Sequence, residues 1–216
     1  MKKKCCSVQA VVVALVFLCA AIMSSVFIFH SKQVPVKTNL ANDAGMIFPA
    51  ERDIKPFHLE TADQQKFTYD RLKGHWTLLF FGFTHCASVC PVTMDMLSRA
   101  YPDLHKQYPN LQVALVSLDP ERDNKEALAA YTKKYNPQFL GVTGKLDELR
   151  KLQSQLGVFS GKDAQANASN YQIQHTPSIM LINPNGKWVG ILKFGQSPAG
   201  FSNAVNESIS ALSQPA

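Results

Sequence analysis

Residues 77–83, Thr-Leu-Leu-Phe-Phe-Gly-Phe, carry no charge and three phenylalanines, and they run directly into Thr84-His85-Cys86-Ala87-Ser88-Val89-Cys90-Pro91. An uncharged run of this length, closed by a small polar turn, reads as a buried strand. The next periodic segment, residues 92–101, predicts a helix. Two cysteines therefore stand where a strand hands over to a helix N-terminus. Backbone N–H groups and the helix dipole favour negative charge there. A thiol so placed ionises more readily, and the thiolate is the form that attacks disulfides and binds metals. Pro91 suits the first helical turn, where its missing N–H costs nothing. With a helical first turn, positions i and i+4 share one face about 6 Å apart along the axis. Such a pair can chelate one ion. It can also close into a disulfide, whose Cα atoms are usually about 4.4–6.8 Å apart. Buried structural cysteines are the alternative, and the position at a strand-to-helix mouth argues against it.

The N-terminus sets the compartment. Lys2, Lys3 and Lys4 precede a charge-free run of 20 residues, 10–29, about the length that spans a hydrocarbon core. The lysines are expected to stay in the cytoplasm and send the rest of the chain across. A cleaved signal peptide competes, but its apolar region is typically about 7–15 residues, and no Ala-x-Ala site follows here. The expected organisation is a cytoplasmic N-terminus over 1–9, an uncleaved transmembrane anchor over 10–29, a linker over 30–49 and one domain over 50–216. The compartment is then the far side of a bacterial inner membrane, or of the mitochondrial inner membrane in a eukaryote. Of the five cysteines, Cys5 and Cys6 fall on the cytoplasmic side and Cys19 in the span. Cys86 and Cys90 alone belong to the exported domain. In an oxidising compartment they pair unless a metal or a reductant holds them open.

Charge excludes one class of partner. Half of the formal +6 comes from the three N-terminal lysines, leaving 19 basic against 16 acidic residues from Ser31 onward. No basic block with interleaved aromatics appears, so nucleic acid is not an expected partner.

In chain order, residues 30–56 show little periodicity and read as a tether that lifts the domain off the bilayer. Residues 57–60 and 66–69 read as a short hairpin, and 70–74 as a helical turn ending in Gly74. Residues 111–118 are a second buried strand, followed by a turn over 119–122. Asp123 with Glu126 reads as a capping box for a helix over 124–135, with Arg122 on the surface or in a salt bridge. A helix follows over 145–156, closed by Gly157. Residues 159–170, polar and small, read as a mobile loop. Residues 178–182 are a third apolar strand, turning through Asn183-Pro184-Asn185-Gly186 into an antiparallel partner over 187–194. The last helix, 198–212, places Phe201, Val205, Ile209 and Leu212 on one face. Parallel crossover units followed by a hairpin and a terminal helix give an α/β sandwich of the thioredoxin type.

In that layout the segment Tyr171-Gln172-Ile173-Gln174-His175-Thr176-Pro177 lies beside the cysteine mouth, although His175 is 85 residues beyond Cys90. Two thiolates and an imidazole form a soft site. Thiolate selects Cu(I) and imidazole suits Cu(II), and zinc takes the same ligands. His58, His75 and His105 read as surface residues. His85 adjoins Cys86, so the two cannot easily point inward together.

The stretch Gly82-Phe-Thr-His-Cys-x-x-x-Cys-Pro91 and the stretch Ser117-x-Asp-Pro-Glu-Arg-Asp123 resemble the two signature motifs of the Sco/SenC family. Residues 139–144 resemble a third segment, and the likeness covers about residues 50–212. The resemblance implies a membrane-anchored, thioredoxin-like domain that binds one copper ion through Cys86, Cys90 and His175. It also implies a role in assembling the copper site of cytochrome c oxidase, with an oxidase subunit or another copper chaperone as partner. Thr176-Pro177 stands where thioredoxin-like oxidoreductases place a cis proline beside their redox cysteines. That keeps open a second function, reduction of a partner's disulfide by the Cys86–Cys90 pair, and a third, a thiol-based sensor. A peroxiredoxin would need threonine three residues before its thiol, where Phe83 and Ala87 stand.

Overall fold

The computed structural model describes Val13, Leu15, Leu40, residues 43–163 and residues 171–213. Ten strands and five helices are described within the compact unit that spans residues 37–215. The strands are β1 (Gly45–Arg52), β2 (His58–Thr61), β3 (Lys66–Thr68), β4 (Trp76–Gly82), β5 (Leu111–Ser117), β6 (Leu140–Thr143), β7 (Ser160–Lys162), β8 (Ile173–His175), β9 (Ser178–Ile182) and β10 (Trp188–Lys193). The helices are α1 (Tyr69–Leu72), α2 (Val89–Gln107), α3 (Lys125–Tyr135), α4 (Leu146–Gln155) and α5 (Pro198–Leu212). Eight strands form one mixed sheet in the order β1-β10-β9-β4-β5-β6-β2-β3, and β7 pairs with β8 as a separate ribbon.

The uncharged run becomes the middle of that sheet. β4 pairs in parallel with β5 from Trp76↔Leu111 to Gly82↔Ser117, and antiparallel with β9. A strand covered on both faces needs apolar residues at every position, because successive side chains point to opposite faces. Leu78 and Phe80 accordingly enter the core beneath α2, α3 and α5. Leu79 and Phe81 enter the opposite core with Leu149 and Leu152 of α4. Val113 and Leu115 of β5 and Ile179 and Leu181 of β9 follow the first pair; Ala114, Val116, Met180 and Ile182 follow the second. The result is a three-layer α/β sandwich with β4 at its centre and its C-terminal end opening onto the cysteine turn.

Several expectations change. Residues 45–52, read as part of a tether, form the edge strand β1, which pairs antiparallel with β10. Its register shifts between Ile47 and Arg52. Pro49 falls inside that irregularity, the kind of place where a residue without an N–H is tolerated in a sheet. α2 runs past Pro102 to Gln107, because Tyr101 and Leu104 on either side of the proline are buried against the core. β6 was not expected at all. It has four residues, and its Gly141 lets α3 approach so closely that an added Cβ would lie 2.7 Å from Leu128. Residues 160–162, expected in a loop, pair with 173–175; residues 164–170 lie outside the described residues. The peptide before Pro177 is trans, as are the others described.

Among the described residues no helix is long and apolar enough to cross a membrane. The expected anchor over 10–29 lies outside the described residues apart from Val13 and Leu15. Cys5, Cys6 and Cys19 lie outside them as well.

Candidate metal centre

β4 ends at Gly82, and the chain turns through Phe83 to Cys86, whose N–H donates to the Phe83 carbonyl at 3.3 Å. α2 then begins at Val89, so Cys90 is its second residue. Ser88 stands at the N-cap but its side chain makes no capping bond. The sulfur of Cys86 does that work, accepting the Cys90 N–H at 3.4 Å. A helix N-terminus leaves its first N–H groups without partners and carries partial positive charge, so a sulfur held there is stabilised as thiolate.

The two thiols differ in environment. Cys86 is half-buried and Cys90 is fully buried. The pKa of Cys86 is held far below the ordinary thiol range, first by the hydrogen bond from the Cys90 thiol and then by His175 and the backbone N–H groups of Cys90 and Ser88. The Cys90 thiol is pushed far up, because it donates to Cys86 and is removed from water. The coupling thus favours a thiolate on Cys86 over one on Cys90.

His175 closes the group from β8. Its Nε2 lies 3.7 Å from Cys90 Sγ, and its Nδ1 lies 3.1 Å from the Thr176 carbonyl. A carbonyl can only accept, so Nδ1 carries a proton, and Nε2 is the ring nitrogen that faces the sulfurs. Phe80 and Phe83 stand edge-on to the ring at centroid distances of 5.9 and 6.3 Å. Sγ of Cys86, Sγ of Cys90 and a ring nitrogen of His175 all lie within 4.8 Å of one another. This is the one such group of potential metal ligands among the described residues. Gly82 makes room for it: an added Cβ would lie 2.9 Å from Cys90 Sγ and 3.0 Å from Leu115. The donor set is two soft sulfurs and one imidazole with its far nitrogen already satisfied, which fits copper and also zinc.

The remaining histidines stay apart from this group. His85 is more than half exposed, with Nδ1 3.0 Å from the Thr84 hydroxyl. His58 faces Glu148, and His75 Nδ1 is 3.1 Å from the Asn110 carbonyl. His105, expected on the surface, stacks on Tyr101 at a centroid distance of 5.0 Å.

Of the acidic residues of the second motif, Asp123 is not the cap expected of it. The cap of α3 is Asn124, whose side chain accepts the Ala127 N–H. Asp123 is instead buried against the cysteine turn. It accepts the Thr84 N–H at 3.1 Å, the Thr84 hydroxyl at 2.5 Å and the Ser117 hydroxyl at 2.7 Å. Burial raises its pKa, while the Thr84 and Ser117 donors pull it back toward the carboxylate. Asp119 opens the expected turn, its carbonyl accepting the Arg122 N–H at 3.1 Å, and its side chain is buried and pairs with Arg122.

A family model described as SCO1/SenC matches residues 49–210. The chain belongs to the SCO1/SenC family. Human "Protein SCO1 homolog, mitochondrial" is 33% identical over 144 residues, which are 66% of this chain and 47% of that protein. The chain therefore spans about half the length of that relative. The crystal structure of Arabidopsis thaliana ScoI with copper bound has a TM-score of 0.67 at 27% identity, covering 72% of this chain and 97% of that one. The solution structure of apo Sco1 from Thermus thermophilus has a TM-score of 0.64 at 30% identity, covering 78% and 95%. The sandwich described above is thus the thioredoxin-like Sco fold.

Proposed function

We propose that this chain is a membrane-anchored copper chaperone that delivers copper during assembly of the copper site of cytochrome c oxidase. The observation that carries the reading is the convergence of the Cys86, Cys90 and His175 donor atoms within 4.8 Å at the mouth of β4. Copper is here cargo. Cys86 is half-exposed and the more readily ionised of the two thiols, so it meets the incoming ion first. Cys90 then ligates by giving up its proton, which makes binding release protons. His175 Nε2 supplies a third donor. Three ligands at a surface mouth leave a position open for a thiolate or imidazole of the receiving protein, so transfer proceeds by ligand exchange. The partner is an oxidase subunit or another copper chaperone. The relatives support the metal: Arabidopsis ScoI is described with copper bound.

A second reading has its own support in the asymmetry of the thiols. Half-exposed Cys86 thiolate is placed to attack a partner's disulfide, releasing one partner thiolate and forming a mixed disulfide. Buried Cys90, once deprotonated, resolves it by attacking Cys86 Sγ, releasing the second partner thiolate and leaving a Cys86–Cys90 disulfide.

The test is a titration of the reduced full-length chain in detergent with Cu(I) and Cu(II), counting bound metal. One copper per chain is expected. Cys86→Ser and Cys90→Ser should each abolish tight binding, since a hard hydroxyl does not replace a soft thiolate. Copper retained unchanged in either variant would exclude the chaperone function.

A further inference from the structure

The ligands come from two separate pieces of chain, the cysteine turn after β4 and the β8 segment that carries His175. The β7–β8 ribbon is not part of the main sheet, and the main ladder reaches His175 only from its C-terminal side, through β9, which starts three residues later and pairs with β4. A different element reaches both. The turn after β5 holds the cysteine side through Asp123, which takes both the N–H and the hydroxyl of Thr84, two residues before Cys86. The same turn holds the histidine side through Tyr171, four residues before His175. The Tyr171 hydroxyl donates to Asp119 at 2.6 Å. Arg122 donates to that carboxylate and, at 3.0 Å, to the Tyr171 carbonyl, with its guanidinium 3.5 Å from the Tyr171 ring centroid. The turn itself is tied together, since Asp123 N–H donates to the Asp119 carbonyl at 2.8 Å.

We propose that the turn 117–123 is a clamp that sets the separation between the thiols and His175, with Asp119, Arg122 and Tyr171 acting as positioning residues for the third ligand. The proposal rests on the copper reading above and deepens it. None of the three touches the ion site; their effect passes through the β8 backbone. The chemistry suits the task. Asp119 and Asp123 are nearly inaccessible, at 2% and 1% exposure, and buried charge-assisted hydrogen bonds hold geometry more tightly than exposed ones. Cys86 and Cys90 are placed by β4 and the first turn of α2, whereas on the N-terminal side of His175 the ties run through the β7–β8 ribbon and Tyr171.

Tyr171→Phe removes the hydroxyl and keeps the ring beneath Arg122. It should weaken Cu(II) about tenfold, the order expected for one lost hydrogen bond to a charged group. Cu(I), held by the two thiolates, should change less than threefold. The thiolate-to-Cu(II) absorption band should shift toward that of His175→Ala. In the His175→Ala background Tyr171→Phe should have no further effect on Cu(II), because two changes acting through one ligand do not add. Equal losses in both backgrounds would mean general destabilisation and would overturn the clamp, as would an unshifted band. Hydrogen exchange of the metal-free chain gives a readout independent of copper. Amides of 173–176 should exchange faster in Tyr171→Phe while those of β4 and β5 stay unchanged. If wild type binds no copper but this exchange pattern appears, the copper reading fails and the clamp stands. Unchanged exchange at 173–176 would overturn the clamp whatever the metal does.

Discussion

Cys86 and Cys90 have the same side chain, and their surroundings give them different chemistry. Cys86 accepts from the Cys90 N–H at the start of α2 and from the neighbouring thiol, while Cys90 is buried and is the donor. The sign of the pH dependence follows. A thiol whose pKa is depressed stays a thiolate as pH falls, and loses reactivity only on passing its own lowered pKa. An ordinary thiol of pKa about 8.5 has roughly a thousandfold less thiolate at pH 5 than at pH 8. Iodoacetamide labelling of the reduced chain, read by peptide mass spectrometry, should therefore show Cys86 losing less than about tenfold in rate between those pH values. Cys90 should label more slowly than Cys86 at both. A Cys86 rate that falls in step with an ordinary thiol, or Cys90 labelling first, would contradict the assignment. The glycine before this turn is part of the same arrangement. At Gly82 a methyl group would meet the Cys90 sulfur at 2.9 Å, so the last residue of β4 is small because the sulfur occupies the space.

At the scale of elements, the α3 cap separates what sequence could and could not tell. Asp123, Asn124 and Glu126 all have capping chemistry, and nothing local says which one caps. The structure gives the cap to Asn124 and turns Asp123 inward. The two should differ in stability. Asn124→Ala loses one exposed capping bond, about 1 kcal/mol. Asp123→Ala leaves the buried Ser117 hydroxyl and the half-buried Thr84 N–H without their acceptor, about 3 kcal/mol. Urea unfolding of the metal-free reduced chain, followed by the fluorescence of Trp76 and Trp188, measures both; a larger loss for Asn124→Ala would restore the capping box at Asp123. Elements with a strong period were legible: β4, β5, β9, α4 and α5 lie within about a residue of their expected bounds, because a strand buried on both faces or a helix with one apolar stripe writes its burial into the sequence. β1, β6, β7 and β8 were not. β1 contains Pro49 at its irregularity. β6 has only four residues. β7 and β8 have three each and are largely polar. The pairing of such strands is decided by their neighbours rather than by their own residues. The site was legible in its cysteines, through spacing, and in His175, through the order of elements. Tyr171 was not, since a buried tyrosine hydroxyl has no signature until its acceptor is located.

The whole molecule sets where this chemistry can operate. The folded unit over 37–215 carries near-balanced charge, and the strong asymmetry sits in Lys2, Lys3 and Lys4. We propose that these lysines remain in the cytoplasm, that residues 10–29 span the bilayer, and that the domain stands on the far side. The physical reason is the cost of moving clustered positive charge outward across an energised membrane, which biases the short charged flank to the inside. That placement matters for the thiols. A reducing cytoplasm would keep Cys86 and Cys90 open with or without metal, whereas an oxidising compartment would close them unless copper or a reductant intervened. Copper and a Cys86–Cys90 disulfide need the same two sulfurs, so orientation decides whether loading and oxidation compete at all. Two reporters fused in turn after Ala216 test the orientation. One that works only in the cytoplasm should be silent, and one that works only across the membrane should be active. Replacing Lys2, Lys3 and Lys4 with Gln should raise the cytoplasmic signal, because it removes the charge that sets the direction. A cytoplasmic reporter active on the unaltered chain would reverse the orientation and put the dithiol in a compartment where copper loading faces no competing disulfide.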